Sequence, residues 1–196
     1  GFFRFLAPSD KVVMNHNVTW NPPVEHVPNL SSRETVQIGF IGGVRYYKEN
    51  VALLQKLQNE PRYHLWYIGK AIPGCDLEGY CREQGIHNAS FIGKFRNEEK
   101  PRLYENVDMI NSIYGSGSLE VTTALPNRLY EACLFKKPIL SSKGTYLGEV
   151  IEEYRLGLAI DEADDDVKAR LDQYLDSFDP QAFEAVSYTH LTLPTT

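Results

Sequence analysis

Four times along the chain a short apolar run breaks off at glycine and helical text follows. VQIGFI (36–41) ends at Gly42 and Gly43, YHLWYI (63–68) at Gly69, and ASFI (89–92) at Gly93. DMINSI (108–113) runs into Gly115 and Gly117 through YGSGSLEVTT (114–123), which reads as a loose loop. Such runs are too short for helices and apolar enough for strands buried on both faces. Between them NVALLQKLQN, LEGYCREQG (closed by Gly85), EEKPRLYENV and NRLYEACLF carry helical spacing. PILSS (138–142), GTYLGEVIEEY (144–154), LGLAI (156–160) and the acidic-headed helix DEADDDVKARLDQYLDSF (161–178) continue the alternation. Strands and helices in strict turn predict an α/β fold, a doubly wound parallel sheet with right-handed crossovers. Ligands of such sheets lie outside the carboxyl ends of the strands. One glycine there simply ends a strand, but several at one edge point to a crevice, because glycine lets backbone approach a ligand closely.

Composition and the chain ends narrow the field. The net charge is -6, which argues against an electrostatic partnership with nucleic acid. No apolar run is long enough to span a bilayer. Cys75, Cys81 and Cys133 form no C-x-x-C pair and are odd in number, so ordinary packing in a reducing compartment is expected. The uncharged VSYTHLTLPTT (186–196) equals the translation of the end of a transposon sequencing adapter and is set aside as read-through. The chain opens inside an apolar phrase, GFFRFLAP, so a piece of a longer protein is expected. VVMN (12–15) reads as a strand, 16–33 as an aperiodic linker rich in Pro, Asn and Ser, and 34–185 as the domain proper.

The ligand can be narrowed by elimination and then by chemistry. IGFIGGVRYY lacks the G-x-G-x-x-G spacing of dinucleotide sites, and no G-x-x-x-x-G-K-[ST] occurs. The expected crevice offers Arg45, with Lys48 three residues on, and a helix mouth at Pro126, Asn127 and Arg128. Proline suits a first helical turn and Asn127 is expected to cap it. Free N–H groups and the helix dipole there would hold a phosphate, worth about 0.3–2 kcal/mol, and Arg128 would add a fork of donors. Glu131 stands four residues after Asn127, on the same face and one turn deeper. A carboxylate repels phosphate but accepts ribose hydroxyls, at about 1.5–3 kcal/mol per charge-assisted bond. Diphosphate at the mouth and ribose one turn in describe a nucleotide-sugar.

The same phrases carry a resemblance. IGFIGGVRYYKEN, LWYIGK, NASFIGKF and LPNRLYEACLFKKPIL, in this order, are similar to the C-terminal, donor-binding lobe of GT-B glycosyltransferases. The likeness is greatest to glycosyltransferase family 4 and its relatives that build bacterial capsule, lipopolysaccharide and exopolysaccharide. VVMNHNV resembles the last strand of the acceptor lobe entering the linker. By this resemblance Glu131 matches the second Glu of a Glu-x(7)-Glu motif and holds the ribose. The first Glu falls at Thr123, with Glu120 nearby at the wrong spacing, so the hold on the donor sugar's own hydroxyls is left unassigned. Relatives reading P-N-[KR]-L-Y-[ED] share that departure. Arg45 matches a diphosphate-binding Arg, and Lys48 its companion Lys, displaced along the chain. Gly42 and Gly43 match the loop under the phosphates, and Gly93 and Phe95 a segment bordering the nucleobase.

The resemblance implies a retaining transferase that uses neither metal nor cofactor, with a UDP- or GDP-linked sugar as substrate and a glycan or lipid-linked acceptor. It implies a cytoplasmic protein whose acceptor-activating group, and any membrane contact, belong to the other lobe. Other residues read more plainly. His16 and His26 are turn or packing residues of the linker, Trp66 and Tyr67 are core, and Asp164, Asp165 and Asp166 complement a helix dipole and are not a metal site. Two further readings share the fold: a nucleotide-sugar 2-epimerase, and a non-catalytic nucleotide-sugar-binding module, which the missing first Glu favours.

Overall fold

A computed structural model describes residues 27–164 and 166–192, the last five as backbone only. The expected strand at 12–15, His16, His26 and Asp165 lie outside the described residues. Six strands, β1 (Val36–Ile41), β2 (Tyr63–Ile68), β3 (Ala89–Ile92), β4 (Met109–Ser112), β5 (Ile139–Ser142) and β6 (Gly157–Ile160), form one sheet. Their order is β3-β2-β1-β4-β5-β6 and every pairing is parallel. This is the doubly wound arrangement that the alternation predicts. The chain leaves β1 towards β2 on one side and leaves β4 towards β5 on the other, so the order reverses between β1 and β4, the place where such sheets receive a ligand.

Helices α1 (Tyr47–Lys56) and α2 (Leu77–Gln84) cover one face of the sheet, and α3 (Lys100–Glu105) the other. A short α4 (Leu119–Thr123) precedes α5 (Asn127–Phe135) and α6 (Tyr146–Glu153), which pack beside α3. The chain then returns through α7 (Val167–Asp176) to the first face and α8 (Pro180–Thr192) to the second. Strand alternation explains the two cores. Val36, Ile38 and Phe40, with Tyr63, Leu65 and Tyr67 of β2, point to the α1 face, all at most 1% exposed. Each such burial contributes about 1.5–3 kcal/mol. Gly39 looks the other way, where a Cβ would meet Val107 Cγ1 at 2.5 Å. Trp66 is half-buried on that face and donates to Gln37 Oε1 at 2.7 Å.

Local chemistry sets the element ends. The Asp76 carboxylate accepts from the Gly79 N–H (2.8 Å) to open α2, and Gly85 closes it at φ +66°. Two expected element bounds need correction. The segment 114–123 is not wholly loose: Ser118 Oγ accepts from the Val121 N–H and nucleates α4. Helix α7 begins later than residue 161, at Val167, with Asp166 at the helix N-terminus as its N-cap. The linker's end is packed against the domain, with Leu30 in a 3-10 turn (Leu30–Ser32) and fully buried. Helix α8 also runs past residue 185, with Ser187 buried and its Oγ donating to Glu184 O. The three cysteines are free and buried, and burial pushes the Cys81 thiol up to about 11 and that of Cys133 to about 12. No helix among the described residues is long and apolar enough to cross a membrane.

Candidate functional site

The carboxyl edge starts from two glycines in contact. Gly42 (φ +137°) donates to Ile68 O at 2.8 Å, and a Cβ on Gly69 (φ +139°) would sit 1.9 Å from Gly42 O. Only glycine allows β1 and β2 to end so close together. Beyond them Val44 and Ala71 form one more bridge, which leaves Gly43 and Arg45 exposed at the rim, with Lys48 exposed in the first turn of α1. Asn50 fixes this turn from below. It is fully buried, its Nδ2 donates to Tyr46 O (3.0 Å) and Ile113 O (3.4 Å), and its Oδ1 accepts from Asn111 Nδ2 (3.0 Å). The turn after β1 is thereby tied to the end of β4.

Arg128 departs from its expected place. It was expected as an open fork at the helix mouth, yet it is only 7% exposed and reaches under the turn. Its Nε and Nη2 donate to Ile41 O (3.2 and 2.9 Å) and its Nη1 to Asn111 O (3.1 Å). The guanidinium lies 3.9 Å above the Phe40 ring and 5.2 Å from that of Tyr114. The reason is accounting of backbone groups: β1 and β4 part at the switch point, and a planar, multiply donating cation satisfies carbonyls of both. Arg128 forms no ion pair with any carboxylate among the described residues. Arg128 is thus a buried cation held by backbone dipoles and ring faces.

The start of α5 is also shifted. Pro126 (φ -73°, ψ 156°) is the N-cap and Asn127 is the first helical residue, so Asn127 does not cap. No side chain caps that first turn, and Asn127 stands exposed beside its N–H groups. One turn on, Glu131 is 12% exposed and both its oxygens are engaged: Oε1 accepts from Lys100 Nζ (2.5 Å) and Oε2 from the Tyr104 hydroxyl (2.7 Å). Burial holds the Tyr104 pKa well above the ordinary value, so this hydroxyl keeps its proton and donates. Its ring stacks on Phe135 at 4.4 Å. Lys100 and Tyr104 were not foreseen as site residues, although their i, i+4 spacing in EEKPRLYENV places both on one side of α3.

Expected residues thus fall into two groups. Gly42 and Arg128 meet at the switch point, where a Cβ on Gly42 would lie 3.0 Å from Arg128 Nη2, and Gly43 and Arg45 stand above them. Glu131, held by Lys100, and the half-buried Phe95 lie on the α3/α5 face. A cleft of about 370 Å³ opens over the ends of β2 and β3, bounded by Val44, Gly69, Lys70, Cys75, Glu78 and Gly93. Of the expected residues it holds Gly69 and Gly93 but neither Arg45, Arg128 nor Glu131, so this cleft lies beside the charged site and not on it. Thr123, which stands where the first Glu of the motif would fall, is exposed and donates to Leu119 O within α4.

No protein-family model matches the chain, and no curated protein matches it in sequence. Solved structures do match. The C-terminal domain of LpcC, a glycosyl transferase group 1 family protein from Francisella tularensis, is 19% identical, with 87% of this chain and 91% of that one covered and a TM-score of 0.58. HepE of Anabaena, crystallised with UDP-glucose, is 18% identical over 80% of this chain and 43% of its own, with a TM-score of 0.60. Sucrose-phosphate synthase of Thermosynechococcus elongatus is 16% identical over 79% and 39%, with a TM-score of 0.58. At these identities the likeness is one of fold. The chain spans less than half the length of the latter two proteins.

Proposed function

We propose that the carboxyl edge of this sheet binds the diphosphate of a nucleotide-sugar, and that the chain is the donor-binding lobe of a glycosyltransferase. The observation that carries this reading is Arg128, a cation buried at the switch point with no described carboxylate to neutralise it. A buried charge of this kind is stabilised by an anion that arrives from outside. The uncapped turn of α5 and the exposed Arg45 add donors at the same place. Folds similar to this one hold UDP-glucose, UDP, and UDP with glucose in HepE structures, which supports the choice of anion.

In the proposed reaction the bond between the sugar and the diphosphate breaks, and its electron pair passes to the diphosphate oxygen. Arg128, Arg45 and the α5 amides stabilise that growing negative charge, with no metal or cofactor assigned. Glu131, oriented by Lys100 and Tyr104, is assigned to the ribose hydroxyls, and Lys48 is assigned to the rim. Gly93 and Phe95 are assigned to the base. The family 4 assignment, retention of configuration, and a glycan or lipid-linked acceptor held by another lobe complete the proposal. The non-catalytic reading keeps one observation in its favour: Thr123 leaves the donor sugar without the motif's first carboxylate. A longer protein that binds the donor yet never transfers sugar would establish that second reading.

Calorimetric titration of the chain with UDP, GDP and ADP tests the binding site. One of them is expected to bind, and Arg128→Met and Glu131→Ala to weaken it about 10- to 100-fold, as for one or two lost charge-assisted bonds. Binding that survives both substitutions, or its absence for all three nucleotides, would overturn the proposal.

A further inference from the structure

The two arginines of the carboxyl edge belong to one stack. The Arg45 guanidinium lies 5.1 Å from the Tyr46 ring centroid. Tyr46 stacks on Tyr114 with centroids 4.6 Å apart and planes 26° from parallel. Tyr114 in turn faces Arg128 at 5.2 Å and meets Phe40 edge-on at 6.2 Å, and Arg128 rests on Phe40 at 3.9 Å. The series therefore runs from cation through two tyrosines to a second cation, and it bridges the turn after β1 to the loop after β4.

The backbone is arranged to keep this stack. Tyr46 sits at φ +62° and ψ +57°, a left-handed conformation that is rare for a bulky side chain. Such a conformation persists where the surroundings over-determine it, and it collects at functional sites. Here Asn50 Nδ2 donates to the carbonyls of Arg45 (3.3 Å), Tyr46 (3.0 Å) and Ile113 (3.4 Å), holding both loops at once. On the far side Ser142 Oγ accepts from the N–H groups of Tyr114 (3.2 Å) and Gly115 (2.8 Å). Asn59, Lys136 and Arg155 also take left-handed values at turns elsewhere, and what marks the Tyr46 turn is the set of hydrogen bonds and rings that holds it. The turn so held carries the exposed Arg45.

We propose that Tyr46 and Tyr114 are positioning residues that set Arg45 and Arg128 as one pair for reading a diphosphate, and so make the site prefer nucleoside diphosphates to monophosphates. The inference rests on the donor-site reading above and adds a selectivity device to it. Arg128 is fixed at the switch point by carbonyls, so one phosphate can be met there whatever Tyr46 does. Arg45 is exposed on a flexible side chain and meets the second phosphate efficiently only when its guanidinium is set over the Tyr46 ring. Stacking cuts the rotamer freedom lost on binding, which is how preorganisation raises affinity.

The test compares UDP with UMP, and GDP with GMP, by titration into the full chain carrying Tyr46→Leu or Tyr46→Phe, with thermal melts alongside. Leucine keeps apolar bulk and removes the ring face; phenylalanine keeps the ring and removes the hydroxyl. Tyr46→Phe is expected to hold the diphosphate-to-monophosphate preference within about twofold, and Tyr46→Leu to reduce it by about tenfold while monophosphate affinity changes by less than about threefold. Tyr114→Leu approaches the stack from its other loop and is expected to do the same, which keeps the test open if Tyr46→Leu fails to fold. Equal losses for both nucleotides would make the stack merely structural, and an unchanged preference would make it irrelevant; either overturns the inference. A wild-type chain that binds no nucleotide removes the donor-site reading itself, whereas wild-type preference that persists without the ring removes only the stack.

Discussion

At the amino edge of the sheet Arg62 pairs with Asp172 and Asp176, Tyr63 donates its hydroxyl to Asp172, and Lys168 reaches Asp172 at 2.8 Å. Nearby, Asp108 accepts from Arg33 (3.0 Å) and from the Gln37 N–H (2.9 Å). At the carboxyl edge Arg128 is more deeply buried than Arg62 and meets only carbonyls and rings. Around Arg62 the amino edge thus neutralises its cation with carboxylates of the chain, while Arg128 at the carboxyl edge meets no described carboxylate and Tyr46 above it is held in a left-handed turn. Charge that a fold could have paired and did not is the mark of a site, and charge that it pairs fully is the mark of a seam. Glu131 stands between the two cases, engaged by Lys100 and Tyr104 yet able to accept further bonds, because a carboxylate offers about four lone-pair positions.

The comparison can be broken most severely at Gly69. A Cβ there would meet Gly42 O at 1.9 Å, at a φ that side chains rarely adopt, so Gly69→Ala is expected to cost about 3 kcal/mol or more. Melting should fall by about 2–4 °C per kcal/mol for a chain of this size, and nucleotide binding should weaken with it. Asp172→Ala makes a smaller change of the opposite kind. It leaves Arg62, Tyr63 and Lys168 without their shared acceptor, so stability should fall by about 1–3 kcal/mol in denaturant titrations while UDP affinity stays within about twofold. If UDP affinity fell with it, the two edges would not be separable.

Acid should reveal the same seam. Burial raises the Asp172 pKa, but hydrogen bonds from Lys168 and Tyr63 and the neighbouring cations outweigh it, and the net value is lowered. A carboxylate lowered on folding stabilises the protein above its unfolded pKa of about 3.9 and loses that contribution as pH falls through the folded value. Wild-type stability should therefore drop below about pH 4 more steeply than that of Asp172→Ala, with the two curves converging in acid.

The strands were legible because their information is local. The runs at 36–41, 63–68 and 89–92 coincide with β1, β2 and β3, since apolar content and a terminal glycine are written within six residues. Helix α4 escaped notice for the converse reason: five residues opened by a Ser118 cap inside Gly-Ser text have no room for a period. At the site, glycines and charge types were readable, but side-chain direction was not. Arg128 turns inward to Ile41, 87 positions away, and Glu131 finds Lys100 at a separation of 31. The Arg128 choice depends on which carbonyls β1 and β4 leave unpaired, and the Glu131 choice on α3 packing beside α5.

The central claim is one of place, and amide hydrogen exchange with and without saturating UDP tests it most directly. Added protection is expected at residues 42–46 and 126–131, with smaller gains near 93–95, and no change at 60–63 or 168–176 on the amino edge. Protection confined to the amino edge, or exchange unchanged everywhere with saturating UDP, GDP and ADP alike, would contradict it.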